Sequence, residues 1–303
     1  MDTKRSNLNG LLFSGPFIIG FAVFILYPIC ASLVYSFTDF NMFKPPVWVG
    51  LDNYKWVVQD REVLKSVENT LYMVVFATPV SLIFGLLLAQ MLNIKIKSQP
   101  IFRTIFYIPS ILPAIAASML WMWVLNPKSG LINTMLGYLG IRGPNWLLDP
   151  AWTKPSLIIM ALWSIGGTMI IFLAALQDVP ASLYESAEID GAGRIKRFMA
   201  ITLPCISPVI LFQLIMGLIT YFQYFAQAFM LASMTNSSAT YNQTMAGPEK
   251  SLLFYSILLY RESFVDFRMG HASAMAWVLF VISSVVTYLI FKTSKRWVTY
   301  GGE

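Results

Sequence analysis

The stretch NTLYMVVFATPVSLIFGLLLAQM, Asn69–Met91, runs for 23 residues without a charged side chain. About 20 apolar residues in helical form cross the hydrocarbon core of a bilayer. In that medium a segment must satisfy its own backbone hydrogen bonds, so the stretch predicts a membrane-spanning helix. Five further uncharged runs stand at 11–37, 105–125, 155–176, 207–231 and 269–291, with lengths of 27, 21, 22, 25 and 23 residues. Buried helices of a soluble core would not give six such runs of nearly equal length. Composition agrees, because 57% of the 303 residues are apolar and 12% are charged, against about 25% charged in soluble domains. The expected fold is an all-α membrane protein of six transmembrane helices. It forms one membrane domain over 1–303, with no internal repeat and no separate soluble domain.

The charged residues lie between the runs and indicate orientation. With the amino terminus inside, segments 1–10, 92–104, 177–206 and 292–303 hold 11 Lys and Arg in 65 positions, and the outer segments hold 10 in 97. The inner density is higher, as the positive-inside bias requires, which places both termini in the cytoplasm. The net charge of +6 reflects this bias and not nucleic-acid binding. The first run is too long for a signal-peptide core and lacks a small-residue cleavage site, so it reads as an anchor. Two cysteines, Cys30 and Cys205, make no disulfide framework. The loop before the sixth run, 235–267, reads as containing an amphipathic helix on the outer surface.

Prolines suggest where helices break. Pro109 and Pro113 sit one turn apart in the third run and Pro79 lies in the second; each removes a backbone donor and crowds the preceding turn. Such breaks either line cavities or bend a helix without function. Several chemistries are missing from the sequence. It has no phosphate-binding Gly-x-x-x-x-Gly-Lys-Ser/Thr loop, so the chain should not hydrolyse ATP by itself. His271, the single histidine, has no metal-ligand cluster around it. No carboxylate lies in a membrane run, whereas proton- or voltage-driven carriers usually keep one there.

The fifth run carries a polar face. In a continuous helix of about 100° per residue, Gln213, Thr220, Tyr224 and Gln227 fall within roughly a 60° arc. Gln223 lies off the arc but at similar depth. The fourth run offers Trp163, Ser164 and Thr168. Buried amides need partners: either neighbouring helices, as in ordinary packing, or a neutral, hydroxyl-rich solute. Uncharged amide, hydroxyl and aromatic groups suit a sugar and disfavour amino acids, metals and phosphate esters.

Between the fourth and fifth runs stands SLYESAEIDGAGRIKRF, Ser182–Phe198, acidic first and basic second around glycines. Pro180 suits the first turn of a helix, Asp190–Gly191 breaks it, and a second amphipathic piece follows until Pro204 closes it. The expected form is a helix–turn–helix over 177–206 on the inner face. Small residues Ser186, Ala187, Ala192 and Gly193 would let it nest into a partner's groove.

The spacing Glu185-Ser186-Ala187, three residues, Gly191, nine residues, Ile201-Thr202-Leu203-Pro204 resembles the Glu-Ala-Ala–Gly signature of permease subunits in binding-protein-dependent ABC importers. Ser186 in place of Ala is the one departure. LYPICASLVYSFTDF, VGLDNY, FRTIFYIP, PNWLLD and GHASA extend the resemblance along nearly the full length, towards the carbohydrate branch and its larger maltose-transporter-like permease. The family's usual Gly-Gly-Pro after the fifth run is Ala246-Gly247-Pro248 here, and it comes later than expected. The resemblance implies that 177–206 is a coupling loop docking a separate ATPase, with Glu185, Ser186, Ala187, Asp190, Gly191 and Gly193 at the contact. It also implies a second permease subunit, two ATPase copies holding ATP and Mg, an extracytoplasmic solute-binding protein, a sugar cargo and a bacterial cytoplasmic membrane. This chain would bind no cofactor and no metal of its own and would not be an enzyme. A self-contained carrier or channel for a neutral solute is the alternative, and an integral-membrane enzyme a more distant one.

Overall fold

The computed structural model describes residues 3–94, 98–234 and 245–299. Four helices are long and apolar enough to cross a membrane: Leu12–Tyr35, Arg61–Leu92, Arg194–Ser233 and Met269–Ser294. Two bent pairs complete the six spans: Gln99–Ile111 with Ala114–Val124, at 101°, and Pro150–Trp163 with Gly166–Gln177, at 50°. Apart from a two-residue antiparallel pair, Thr38–Asp39 with Val47–Trp48, the described secondary structure is helical.

Proline acts on these helices in two ways. Pro28, Pro79 and Pro204 each follow a five-residue π-helical stretch: Ala22–Leu26, Met73–Ala77 and Phe198–Thr202. A proline ring crowds the carbonyl one turn back, and a widened turn moves that carbonyl aside. The helix then continues. Two expectations are corrected by this: Pro79 does not break the second span, and Pro204 does not close a separate piece before the fifth, which continues through it from Arg194 to Phe222. At Pro113 the outcome is the opposite. The residue before a proline is driven out of the α region; Leu112 takes ψ 136° and Pro113 itself ψ 135°, so the helix stops and a new one starts at Ala114. Pro109 stays inside Gln99–Ile111.

Contacts divide the chain into two compact units: Met1–Asp60 with Leu259–Val281, and Arg61–Leu258 with Ile282–Glu303. In the first, Asn53 donates from Nδ2 to the Ser36 and Thr38 carbonyls, both at 2.9 Å, and so fixes the turn after the first span. The Gly270 N–H donates to the Phe40 carbonyl at 3.1 Å. None of the hydrophobic window of Leu12–Tyr35 is buried within the chain. An all-round apolar helix of this kind suits lipid or another membrane subunit.

The second unit holds a core of Ala89, Leu92, Met169, Phe172, Leu173, Leu176 and Ile206. It packs the ends of the second and fourth spans against the start of the fifth. Two close approaches depend on glycine. A Cβ on Gly166 would strike the Phe106 carbonyl and lie 2.7 Å from the Tyr107 Cα, and one on Gly85 would lie 2.8 Å from the Thr168 Cγ2.

The helix expected in the loop before the sixth span forms as Tyr255–Phe264. It does not lie on the surface, because Tyr255, Ile257, Leu258, Arg261 and Glu262 are buried. Residues 235–244 of that loop lie outside the described residues.

Candidate functional site

The fifth span is not one regular helix. It runs from Leu203 to Phe222 after the π-helical stretch, breaks at Gln223–Phe225, and resumes as Ala226–Met234. Neither Gly nor Pro marks the break, so the single arc drawn on a continuous helix does not hold beyond Phe222. Even so, Gln213, Thr220, Tyr224 and Gln227 share one cavity of about 250 Å³ with Ser164 and Thr168 of the fourth span. Gln223 is not brought there; it is exposed at the break. Trp163 is also elsewhere, edge-on to Trp121 with centroids 5.9 Å apart.

Groups that the sequence had not singled out complete the wall. Thr78 and Ser81 of the second span line the same cavity, as does Tyr221, whose hydroxyl lies 2.8 Å from that of Ser81. The signal was present in the sequence: two hydroxyl residues three apart, on one helix face, inside an apolar run. Gly217 lets the fifth span approach, since a Cβ there would sit 3.1 Å from the Thr78 Cγ2.

The lining contains no charged side chain. Three buried polar atoms on its residues have no hydrogen-bond partner in the protein: Thr78 Oγ1, Gln213 Nε2 and the Tyr224 hydroxyl. Their residues are 1%, 7% and 7% exposed. Buried polar groups are nearly always paired, and each exception asks for a reason. Three at one cavity, offering donors and acceptors without charge, can hold a ligand rich in hydroxyl groups.

The segment between the fourth and fifth spans is a helix, Ala181–Ile189, ended by Gly191 at φ 74°. The Ala192 N–H donates to the Ala187 carbonyl at 2.9 Å and the Gly191 N–H to the Glu188 carbonyl at 3.0 Å. This is the Schellman arrangement, in which the left-handed position favours glycine. Gly193 takes ordinary extended backbone before Arg194, and a Cβ on it would touch nothing within 4 Å. Tyr184 reaches Thr202 at 2.8 Å, holding the short helix against the start of the fifth span. Glu185, Ser186 and Asp190 are exposed and Ala187 half-buried. Ile189 and Ile195 stand 88% and 79% exposed on either side of the turn.

Residues 81–299 match the family described as binding-protein-dependent transport system inner membrane component. The chain is 39% identical to the probable ABC transporter permease protein YesP of Bacillus subtilis, over 98% of this chain and 94% of that protein. It is 32% identical to the lactose transport system permease protein LacF of Rhizobium radiobacter, over 97% of this chain and 98% of that one. Among solved structures it resembles a chain of a bacterial ABC transporter involved in the import of the acidic polysaccharide alginate, at TM-score 0.81 and 26% identity, covering 97% of this chain and 98% of the other. Members of this family are multi-pass inner-membrane proteins and carry no catalytic activity of their own. The chain belongs to the family of binding-protein-dependent transport system inner membrane components, as a permease subunit of an ABC importer.

Proposed function

We propose that this permease imports a sugar or oligosaccharide, forms half of the translocation path, and is driven by a separate ATPase docked on 177–206. The carrying observation is the uncharged cavity whose Thr78, Gln213 and Tyr224 have buried polar atoms without partners. Hydroxyl groups of a sugar would pair these atoms, and the aromatic rings of Tyr221 and Tyr224 would meet its C–H faces. At about 250 Å³ the cavity is smaller than the roughly 300–1,000 Å³ of typical small-molecule sites, which fits a path completed by a second permease. Relatives named for transport of lactose, arabinooligosaccharides and sulfoquinovosyl glycerol support the same cargo class.

Both termini and the 177–206 loop face the cytoplasm on this reading. Ile189 and Ile195 stand exposed among charged neighbours, Glu185 and Asp190 on one side of the turn and Arg194 and Lys196 on the other, as suits a protein contact. Glu185 supplies the polar contact, Ser186, Ala187 and Gly193 the clearance, and Gly191 the turn. ATP and Mg are held by the partner ATPase, and an extracytoplasmic binding protein delivers the sugar. The test is uptake into proteoliposomes holding the purified complex, with candidate sugars and their binding protein outside. Uptake should require enclosed ATP. Uptake at the same rate without ATP would overturn the proposal in favour of a self-contained carrier.

A further inference from the structure

Among the described residues, a densely buried run lies outside the membrane spans. Ser251, Leu252, Leu253, Phe254, Tyr255, Ile257 and Leu258 are all buried, four of them at 0% exposure. The backbone just before them is strained, with φ of 67° at Gly247, 49° at Glu249 and 58° at Lys250. Two consecutive non-glycine residues in the left-handed region persist only where their surroundings over-determine them, and such strain gathers at switches.

What determines this turn is a cluster on the second span. Asn69, fully buried, donates from Nδ2 to the Lys250 carbonyl at 2.8 Å and to the Leu253 carbonyl at 3.0 Å. Its Oδ1 accepts from Lys154 Nζ at 3.0 Å. The next residue, Thr70, accepts the Tyr255 N–H at 2.9 Å, and Glu62 pairs with Lys250. The far side of the turn reaches the cavity: Phe254 stands edge-on to Tyr224, with centroids 5.6 Å apart. Asn69 precedes the cavity residue Thr78 by nine positions, about 13 Å along a helix, on the outer side in the orientation given above.

Resting on the importer reading, we infer that the turn Met245–Leu258 is the outer closure of the cavity and that Asn69 is the positioning residue that clasps it. Phe254 backs the cavity residue Tyr224, so movement of the turn would uncover the cavity wall on that side. One amide side chain holds two backbone carbonyls of a strained segment, so loss of that grip favours release of the turn. Asn69 thereby sets the balance between the closed and outward-open states.

The experiment uses the full complex with its ATPase, second permease and binding protein, with Cys30 and Cys205 replaced by serine. Ser251→Cys supplies the probe; Ser251 is 4% exposed and its Oγ has no partner to lose. An impermeant maleimide is added from outside to the nucleotide-free complex and to the complex trapped with ATP, vanadate and loaded binding protein. Labelling should be at least about tenfold faster in the trapped state, as expected of a two-state element whose population shifts. Asn69→Leu should raise the nucleotide-free rate towards the trapped one and raise ATP hydrolysis without sugar. Equal labelling in both states with Asn69 in place would overturn the closure, and this comparison decides even if the Asn69 variant fails to assemble. Binding-protein stimulation of ATP hydrolysis is read in parallel. Stimulation with equal labelling sinks the closure alone, whereas no stimulation sinks the importer reading and the closure with it.

Discussion

Tyr224 is where packing and the proposed sugar binding make opposite demands. Its ring packs against Phe254 while its hydroxyl is buried without a partner. Removing an unpaired buried hydroxyl costs little and can stabilise, whereas removing one that binds ligand loses about 1 kcal/mol. Tyr224→Phe should therefore leave the melting temperature of the purified complex unchanged or higher, while KM for uptake rises several-fold. A lower melting temperature with unchanged KM would assign the residue to packing. Gln213→Leu tests a second unpaired group of the fifth span, with the same split expected between stability and KM. Gly166 has a purely steric role. Gly166→Ala puts a methyl group against the Phe106 and Tyr107 backbone and should destabilise by about 1–3 kcal/mol, as overpacking does; an unshifted thermal melt would contradict that close approach.

Among the elements, the 181–191 helix and its glycine stop carry the most consequential prediction. Asp tolerates the left-handed region better than most residues, so Gly191→Asp should leave membrane insertion and level intact, as read from a membrane blot. Uptake should be lost, because the new carboxylate stands at the turn proposed to dock the ATPase; normal uptake would remove Gly191 from the contact. This element was legible because its signals are local: Pro180 starts it, Asp190–Gly191 stops it, and small residues mark one side. The spans were legible for a different reason, since lipid tolerates no charge and demands internal hydrogen bonds. Their irregularities were read less well. Pro113 ends a helix because Leu112 before it leaves the α region, whereas Pro79 follows a π-helical stretch that moves the crowded carbonyl aside. The break at Gln223 has no Gly or Pro to announce it, so a face drawn along a continuous helix ends at Phe222.

For the molecule as a whole, the cavity was partly visible because amides in an apolar run need partners. Thr78 and Ser81 went unnoticed, since their contribution appears only once the second span packs on the fifth. The helix within 235–267 was expected on the outer surface; its first residues are buried against the second span, where Thr70 accepts the Tyr255 N–H across 185 positions of sequence, and no local pattern reports such a contact. The proposed import of sugar by this chain draws its energy from a partner ATPase docked on 177–206, and that proposal is the claim most open to direct test. Ile189, 88% exposed beside the glycine turn, is a suitable place for a photo-cross-linking amino acid in native membranes. The expected result is a cross-link to an ATPase subunit, diminished when Gly191→Asp is added. A chain that cross-links only to lipid, or to no ATPase, while still taking up sugar would contradict coupling through this segment.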